Sequence, residues 1–394
     1  MTARDIFIIG AARTAIGTFG GSLKDVPLSQ LATTVVREAL KRSGADAARV
    51  GHVVMGNVIP TEPRYAYLAR VAAIEAGIPQ EAPAFNVNRL CGSGLQAIVS
   101  AAQTLMLGDA EIAIGGGAES MSRGPYLLPA ARWGARMGDV QAIDYMFGIL
   151  HDPFHKIHMG ITAENVAQRE GITREMQDAL AVESQKRAAR AIAEGRFKSQ
   201  IVPVEIALRK GTVVFDTDEH VRADASMEQL AKMKPAFKSD GSVTAGNASG
   251  LNDGAGAVVL ATGEALKSSS MKPLARLVAY AHAGVDPKLM GLGPVPASRL
   301  ALKRAGLSVK DLDVIESNEA FAAQACAVSR ALELDPQKVN PNGSGISLGH
   351  PVGGTGAIIT AKAIYELHRI GGRYALVTMC IGGGQGIAAI FERV

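Results

Sequence analysis

Cysteine is scarce in this chain: three thiols, Cys91, Cys326 and Cys380, in 394 residues. That excludes a disulfide-stapled scaffold and fits a reducing compartment, where thiols serve as reactive groups. Aromatic residues make up only 5%, with a single tryptophan, Trp133. An excess of one charge is lacking too. There are 41 basic and 37 acidic residues, a net charge of +4, too little for a nucleic-acid partner. No uninterrupted run of about 18 apolar residues occurs, so no membrane span is expected. Met1–Gly10 leads straight into a strand-like apolar stretch with no basic segment and small-residue cleavage site, so no secretory signal is expected either. A cytoplasmic location is the expectation. What the chain does have is hydrophobic residues (47%) and 44 glycines, enough for a large core built around tight turns and close backbone contacts.

At this length two or three packed units are expected. Ile6–Ile9 and His52–Gly56 read as strands, and Leu28–Ser43 has helical spacing that stops at Gly44. Ser93–Leu107 is a helix of small residues ending at Gly108, and Glu111–Ile114 is a short strand running into Gly115-Gly-Gly117. The C-terminal part repeats the scheme. Strands are expected at Leu274–Tyr280, Asp313–Glu316, Tyr374–Met379 and Gly386–Glu392. Helices are expected at Pro296–Ala305, Glu319–Leu332 and Thr355–Ile370. Two α/β halves related by duplication follow, with parallel strands covered by helices. Residues 121–249 break the pattern and read as an inserted loop or cap domain that shapes a ligand channel. The domain reading is an N-terminal α/β half, 1–120 plus 250–272, the insertion 121–249, and a C-terminal half, 273–394.

Three glycine-rich segments carry chemistry. They are Asn88–Ala97, containing Cys91, Gly349–Ala357, containing His350, and Met379–Gly386, containing Cys380. Two thiols and an imidazole suffice for covalent acyl transfer with proton removal. Cys91 stands ahead of a helix, where backbone N–H groups favour a thiolate and can hold an oxyanion. His350 is a natural base for it, and Cys380 can serve as a second acid/base if its pKa is tuned near neutral. Asn318, at a strand-to-helix corner, reads either as a cap or as a group facing the cleft. Cys326, in a small apolar helix, reads as packing. His151, His155 and His158 resemble a metal site in spacing only, and no ligand completes the set, so no metal is expected. No glycine cluster has the context of a dinucleotide fingerprint.

Taken together, Asn88–Ala97, Asn318–Phe321, Gly349–Ala357 and Cys380–Gly386 resemble the four active-site segments of the thiolase family, in that family's order and over the whole chain. The likeness is nearest to bacterial biosynthetic acetyl-CoA acetyltransferases, among them broad-range β-ketothiolases that feed polyhydroxyalkanoate synthesis. It implies a layered αβαβα core and no cofactor, with acetyl-CoA and other short acyl-CoA thioesters as substrates. It also implies Cys91 as acylated nucleophile, His350 as its base, Cys380 as acid/base, and His350 with an Asn318-held water as the enolate's oxyanion site. The N–H groups of Cys91 and Gly382 would serve the acyl-enzyme, where a Cβ at Gly382 would crowd the oxyanion. Leu150, His158, Met159, Arg222, Ala245, Ser249, Met290 and Phe321 match the family's CoA and acyl channel, and Arg123–Asp139 its tetramerisation loop, which implies a homotetramer. Val352-Gly-Gly-Thr355 departs slightly from the Ile-Gly-Ala-Ser/Thr of relatives, which bears on cleft width. A β-ketoacyl synthase shares such a fold but lacks a second thiol like Cys380, and a non-catalytic acyl-CoA carrier has no need of the intact trio.

Overall fold

Strand segments with apolar residues on both faces have to be covered on both faces, and this chain does so in layers. The computed structural model describes residues 5–209 and 211–394. Its main strands are β1 (Ile6–Arg13), β2 (Val50–Gly56), β3 (Ala84–Val87), β4 (Ile112–Ser120), β5 (Asn252–Thr262), β6 (Ala275–Gly284), β7 (Val314–Ser317), β8 (Tyr374–Ile381) and β9 (Gln385–Arg393). They are hydrogen-bonded in the order β7-β8-β9-β6-β1-β5-β4-β2-β3. The helices that matter here are α1 (Leu28–Ser43), α2 (Leu68–Glu75), α3 (Ser93–Leu107), α4 (Met159–Glu170), α5 (Arg174–Ala193), α6 (Pro294–Ala305), α7 (Ala322–Ala331) and α8 (Thr355–Ile370).

The expected duplication is visible in the pairing. In the first half β2 runs parallel to β3 and β4, and β5 runs antiparallel to β4 and β1. In the second, β8 runs parallel to β7, and β9 runs antiparallel to β8 and β6. Where the first half has β3, the second has a single parallel bridge, Ile315 to Val339. Among the described residues the edges of the two halves pair at Phe7–Arg276 and Ile8–Ala275, and Leu274 N–H donates to the Ile8 carbonyl at 2.8 Å. The sheet is therefore mixed rather than parallel. The last strand of each half returns beside its predecessor and must run against it. In the second half that return is a hairpin through Gly382–Gly384. In the first half the whole stretch between β4 and β5 stands in place of that turn.

Side-chain alternation fixes the layers. In β5, Ala255, Ala257, Val259 and Ala261 enter one core, and Val258 and Leu260 enter another. In β9, Ile387, Ala389 and Phe391 share that second core, and Ala388 and Ile390 face a third. This is the two-residue period of strands. The first core is closed by α1, the third by α6, and the shared middle core by α3 and α8 packed against each other. The result is the αβαβα layering. The segment Leu90–Leu107 is apolar enough by composition to cross a membrane, but it is the middle-layer helix α3 and the turn ahead of it.

One strand assignment needs correction. The triple glycine 115–117 does not end a strand. β4 runs through it to Ser120, because other backbones lie against it. A Cβ at Gly115 would stand 2.6 Å from Ile98 Cα of α3, and one at Gly117 would overlap the Gly353 carbonyl oxygen. The glycines of the motifs admit protein, not only ligand. Gly94 of α3 would meet the Ala357 nitrogen of α8 at 2.7 Å, and Gly356 would overlap the Leu95 nitrogen. Two helix starts thus meet at the centre of the molecule.

Among the described residues, 121–249 contribute no strand to the main sheet. They carry α4, α5 and two small ribbons, Tyr126–Leu127 with Ile143–Asp144 and Val204–Leu208 with Gly211–Phe215. A fully buried ion pair ties them to β1: Arg13 donates from Nη1 and Nη2 to the two Asp218 oxygens at 2.8 and 2.9 Å.

Candidate active site

Cys91 sits on a turn that the next residues clamp. Asn88 Oδ1 accepts from Leu90 N–H at 2.9 Å. The Ser93 hydroxyl accepts from Arg89 N–H at 2.9 Å and donates to the Leu90 carbonyl at 2.6 Å. Leu90 is held at φ +45°, an uncommon conformation for a leucine that such clamping sustains. The thiol receives the backbone N–H groups of Gly382 and of Cys91 itself. The sequence reading of a thiol shifted toward thiolate is overturned. Burial raises the Cys91 pKa, Glu119 adds to the rise, and the two N–H groups only oppose it.

His350 is buried just ahead of α8. Its backbone N–H donates to Asn252 Oδ1 at 2.9 Å. Its Nδ1 lies 2.6 Å from Thr355 Oγ1, and the Thr355 hydroxyl donates to the Pro351 carbonyl at 2.9 Å. With that proton committed, Thr355 Oγ1 accepts from Nδ1–H, leaving the lone pair on Nε2. Burial lowers the His350 pKa to about 4, so the ring is neutral near pH 7 and can take a proton. Asn318 is not a helix cap, since α7 begins at Ala322 after Phe321. Its Nδ2 is 3.5 Å from Nδ1 and 3.4 Å from Nε2 of His350, so the amide lies over the ring, and its Oδ1 is buried without a protein partner.

Cys380 is a fully buried residue near the end of β8. Burial, then the proximity of Cys91, pushes its pKa well above the usual thiol value. A resting Cys380 near neutral pKa is thus also overturned, and Cys380 holds its proton. A Cβ at Gly382 would meet Leu90 Cδ1 at 3.2 Å and Met159 Cε at 3.4 Å, a close fit against side chains.

One cavity of about 460 Å³ gathers these groups. Cys91, His350, Cys380 and Gly382 line it together with Leu150, His158, Met159, Arg222, Ala245, Ser249, Met290 and Phe321; of the catalytic and CoA-channel residues implied by the resemblance, Asn318 is the one not among the lining. His158 caps α4, its Nδ1 accepting from Gly160 N–H at 3.0 Å, and its ring stacks on Phe237 at 4.6 Å. Ser249 N–H donates to the Ala320 carbonyl at 3.0 Å, stitching the insertion to the C-terminal half. Arg222 and Ala245 are exposed. Cys326 is outside this site and lines a separate cavity of about 320 Å³. Among the described residues no group of three or more His, Cys, Asp or Glu side chains could hold a metal ion; His151 and His158 simply meet edge to face at 5.1 Å.

Residues 6–264 match the family model for the thiolase N-terminal domain, and residues 271–393 that for the thiolase C-terminal domain. The chain belongs to the thiolase family. It is 67% identical to the β-ketothiolase BktB of Cupriavidus necator over 99% of this chain and 100% of that one. It is 49% identical to an acetyl-CoA acetyltransferase of Pseudomonas aeruginosa, over 99% and 100%. The crystal structure of human mitochondrial 3-ketoacyl-CoA thiolase superposes with a TM-score of 0.97 at 46% identity, covering 99% of each chain.

Along the chain the first thiolase domain gives way to the second between β5 and β6. The first supplies Cys91 and the channel residues from Leu150 to Ser249, and the second supplies Asn318, His350, Cys380 and Gly382. Sequence reasoning missed Thr355, Asn252 and Glu119, as well as the cavity-lining Met121, Met146, His220 and Phe237. Thr355 carried a signal, because a hydroxyl in the first turn of a helix can reach back to the residues before it. Thr355→Val keeps the shape and removes the tautomer lock. A fall in kcat/KM of about tenfold is expected, the worth of one buried hydrogen bond. Steady-state kinetics with acetoacetyl-CoA checks it.

Proposed function

We propose that this thiolase is an acetyl-CoA C-acetyltransferase acting as a β-ketothiolase. It joins two acyl-CoA molecules to a 3-ketoacyl-CoA and cleaves the product in reverse. The observation that carries this reading is that Cys91, His350 and Cys380, from three segments distant in sequence, line one cavity where the halves meet. The proton accounting follows from their resting states. His350 Nε2 takes the Cys91 proton as sulfur attacks the acetyl-CoA carbonyl. The N–H groups of Cys91 and Gly382 hold the tetrahedral oxyanion. The CoA thiolate leaves and receives the Cys380 proton. Cys380, now a thiolate, removes the α-proton of a second acetyl-CoA, whose enolate oxygen rests at His350 and a water on Asn318. The enolate attacks acetyl-Cys91, forming the C–C bond, and Cys91 departs and recovers its proton from His350. Two acetyl-CoA give one acetoacetyl-CoA and one CoA, with every proton returned. Protonated at rest, Cys380 has the proton this order requires it to give before it acts as base.

Leu150, His158, Met159, Arg222, Ala245, Ser249, Met290 and Phe321 would carry CoA and the acyl end, with CoA thioesters as substrates and no cofactor. Likeness to BktB supports a role in feeding polyhydroxyalkanoate synthesis in the cytoplasm. The exposed Tyr126, Leu128, Trp133, Met137, Val140 and Ile143 make the arm after β4 an apolar surface, which supports a homotetramer. The test is loss of the β-ketothioester when purified protein receives acetoacetyl-CoA and CoA. No turnover by folded protein would overturn this reading in favour of a non-catalytic acyl-CoA carrier.

A further inference from the structure

Glu119 is a buried carboxylate that the reaction above leaves unused. It stands near the end of β4, fully buried, and no basic side chain among the described residues is paired to it. Four N–H donors converge on it. Asn57 Nδ2 and Ile59 N reach Oε1 at 2.8 and 3.0 Å, and Val58 N and Gly353 N reach Oε2 at 3.0 and 2.9 Å. Three come from the segment after β2 in the N-terminal half. The fourth comes from the loop between His350 and α8 in the C-terminal half. The same loop is pressed into the first half at glycines. A Cβ at Gly56 would stand 2.8 Å from the Gly353 oxygen, one at Gly94 3.1 Å, and one at Gly353 2.5 Å from Glu119 Oε2. Val58 and Ile59, which give two of these N–H groups, and Val352, next to Gly353, belong to the apolar cluster against which Cys91 packs.

We infer that Glu119 is a positioning residue that docks the His350 loop against the Cys91 turn. This rests on the roles proposed above for Cys91 and His350. Four N–H donors satisfy both carboxyl oxygens and favour the anion. Burial works the other way and pushes Glu119 up to about 8, with Asp253 on the neighbouring strand adding to it. The donors on Oε1 belong to the N-terminal half, and the Gly353 donor on Oε2 belongs to the His350 loop, so one carboxyl group bridges the two motifs.

The experiment compares Glu119→Gln and Glu119→Asp with the unaltered protein by thiolysis kinetics, with iodoacetamide label located at Cys91 by mass spectrometry. Glu119→Gln keeps the size but turns one acceptor oxygen into an NH2 group that faces N–H donors. Its kcat is expected to fall about 10–100-fold with KM nearly unchanged. Glu119→Asp keeps both acceptor oxygens but is one methylene too short to reach all four donors, and a smaller fall in kcat is expected. A merely structural role would lower stability and leave kcat of the folded protein where it was. Label at Cys91 with an unaltered kcat in folded Glu119→Gln, or with KM rising as far as kcat falls, overturns the inference alone. If Glu119→Gln does not fold, Glu119→Asp decides, and an unaltered kcat overturns it. Absence of label at Cys91 in the unaltered chain overturns the underlying assignment and this inference with it.

Discussion

Cys91→Ser is expected to yield no acetylated protein after incubation with acetyl-CoA, and to cut kcat for acetoacetyl-CoA thiolysis on the order of 10⁴–10⁶-fold. The reason lies in matched acidities. His350, buried and neutral with its pKa lowered to about 4, is a weak base. It can accept a proton from a thiol as the sulfur bonds to carbon, but a hydroxyl is far less acidic and its oxygen the poorer nucleophile toward a thioester. The Gly382 and Cys91 N–H groups remain, so the variant keeps its oxyanion site and loses only the attacking sulfur. Mass spectrometry of the intact protein reads the acetyl group directly, and an acetylated serine variant at the unaltered protein's level would remove Cys91 from the mechanism.

Cys380→Ala is expected to separate the two half-reactions. Acetyl transfer to Cys91 should persist, because the CoA thiolate is a competent leaving group near neutral pH without a dedicated acid. Condensation should fall by about 10²–10⁴-fold, the usual share of a positioned acid/base. No other buried thiol can replace it. Cys326 lines a different cavity, and burial pushes its pKa to about 11. The informative state is a variant trapped as acetyl-Cys91, visible as a stable mass increment with no acetoacetyl-CoA formed. Normal condensation by this variant would place the α-proton's acceptor elsewhere.

Much of this site was legible because each motif joins a reactive side chain to glycines that only close contact explains. The ends of α1, α3 and α8 were legible for a local reason: a glycine in the left-handed conformation closes each helix, at Gly44, Gly108 and Gly371. The course of β4 was not, since its glycines look like a turn until the His350 loop and α3 are laid against them. Nor was the antiparallel return of β5 and β9, which depends on which neighbour each strand finds. The thiol acidities were misjudged for the same reason. A helix start is a local feature that lowers a pKa, but burial and the Glu119 charge belong to the assembled fold, and at Cys91 they prevail.

The chain by itself determined the duplicated strand–helix scheme, the three reactive side chains and the thiolase resemblance, because periodicity, capping glycines and motif spacing are written residue by residue. Only the tertiary structure decided that Thr355 sets the His350 tautomer, that Glu119 ties one half to the other, and that both active thiols hold their protons at rest. Those properties come from groups far apart in sequence brought within hydrogen-bonding reach and shut off from water, and neither distance nor dielectric is encoded locally.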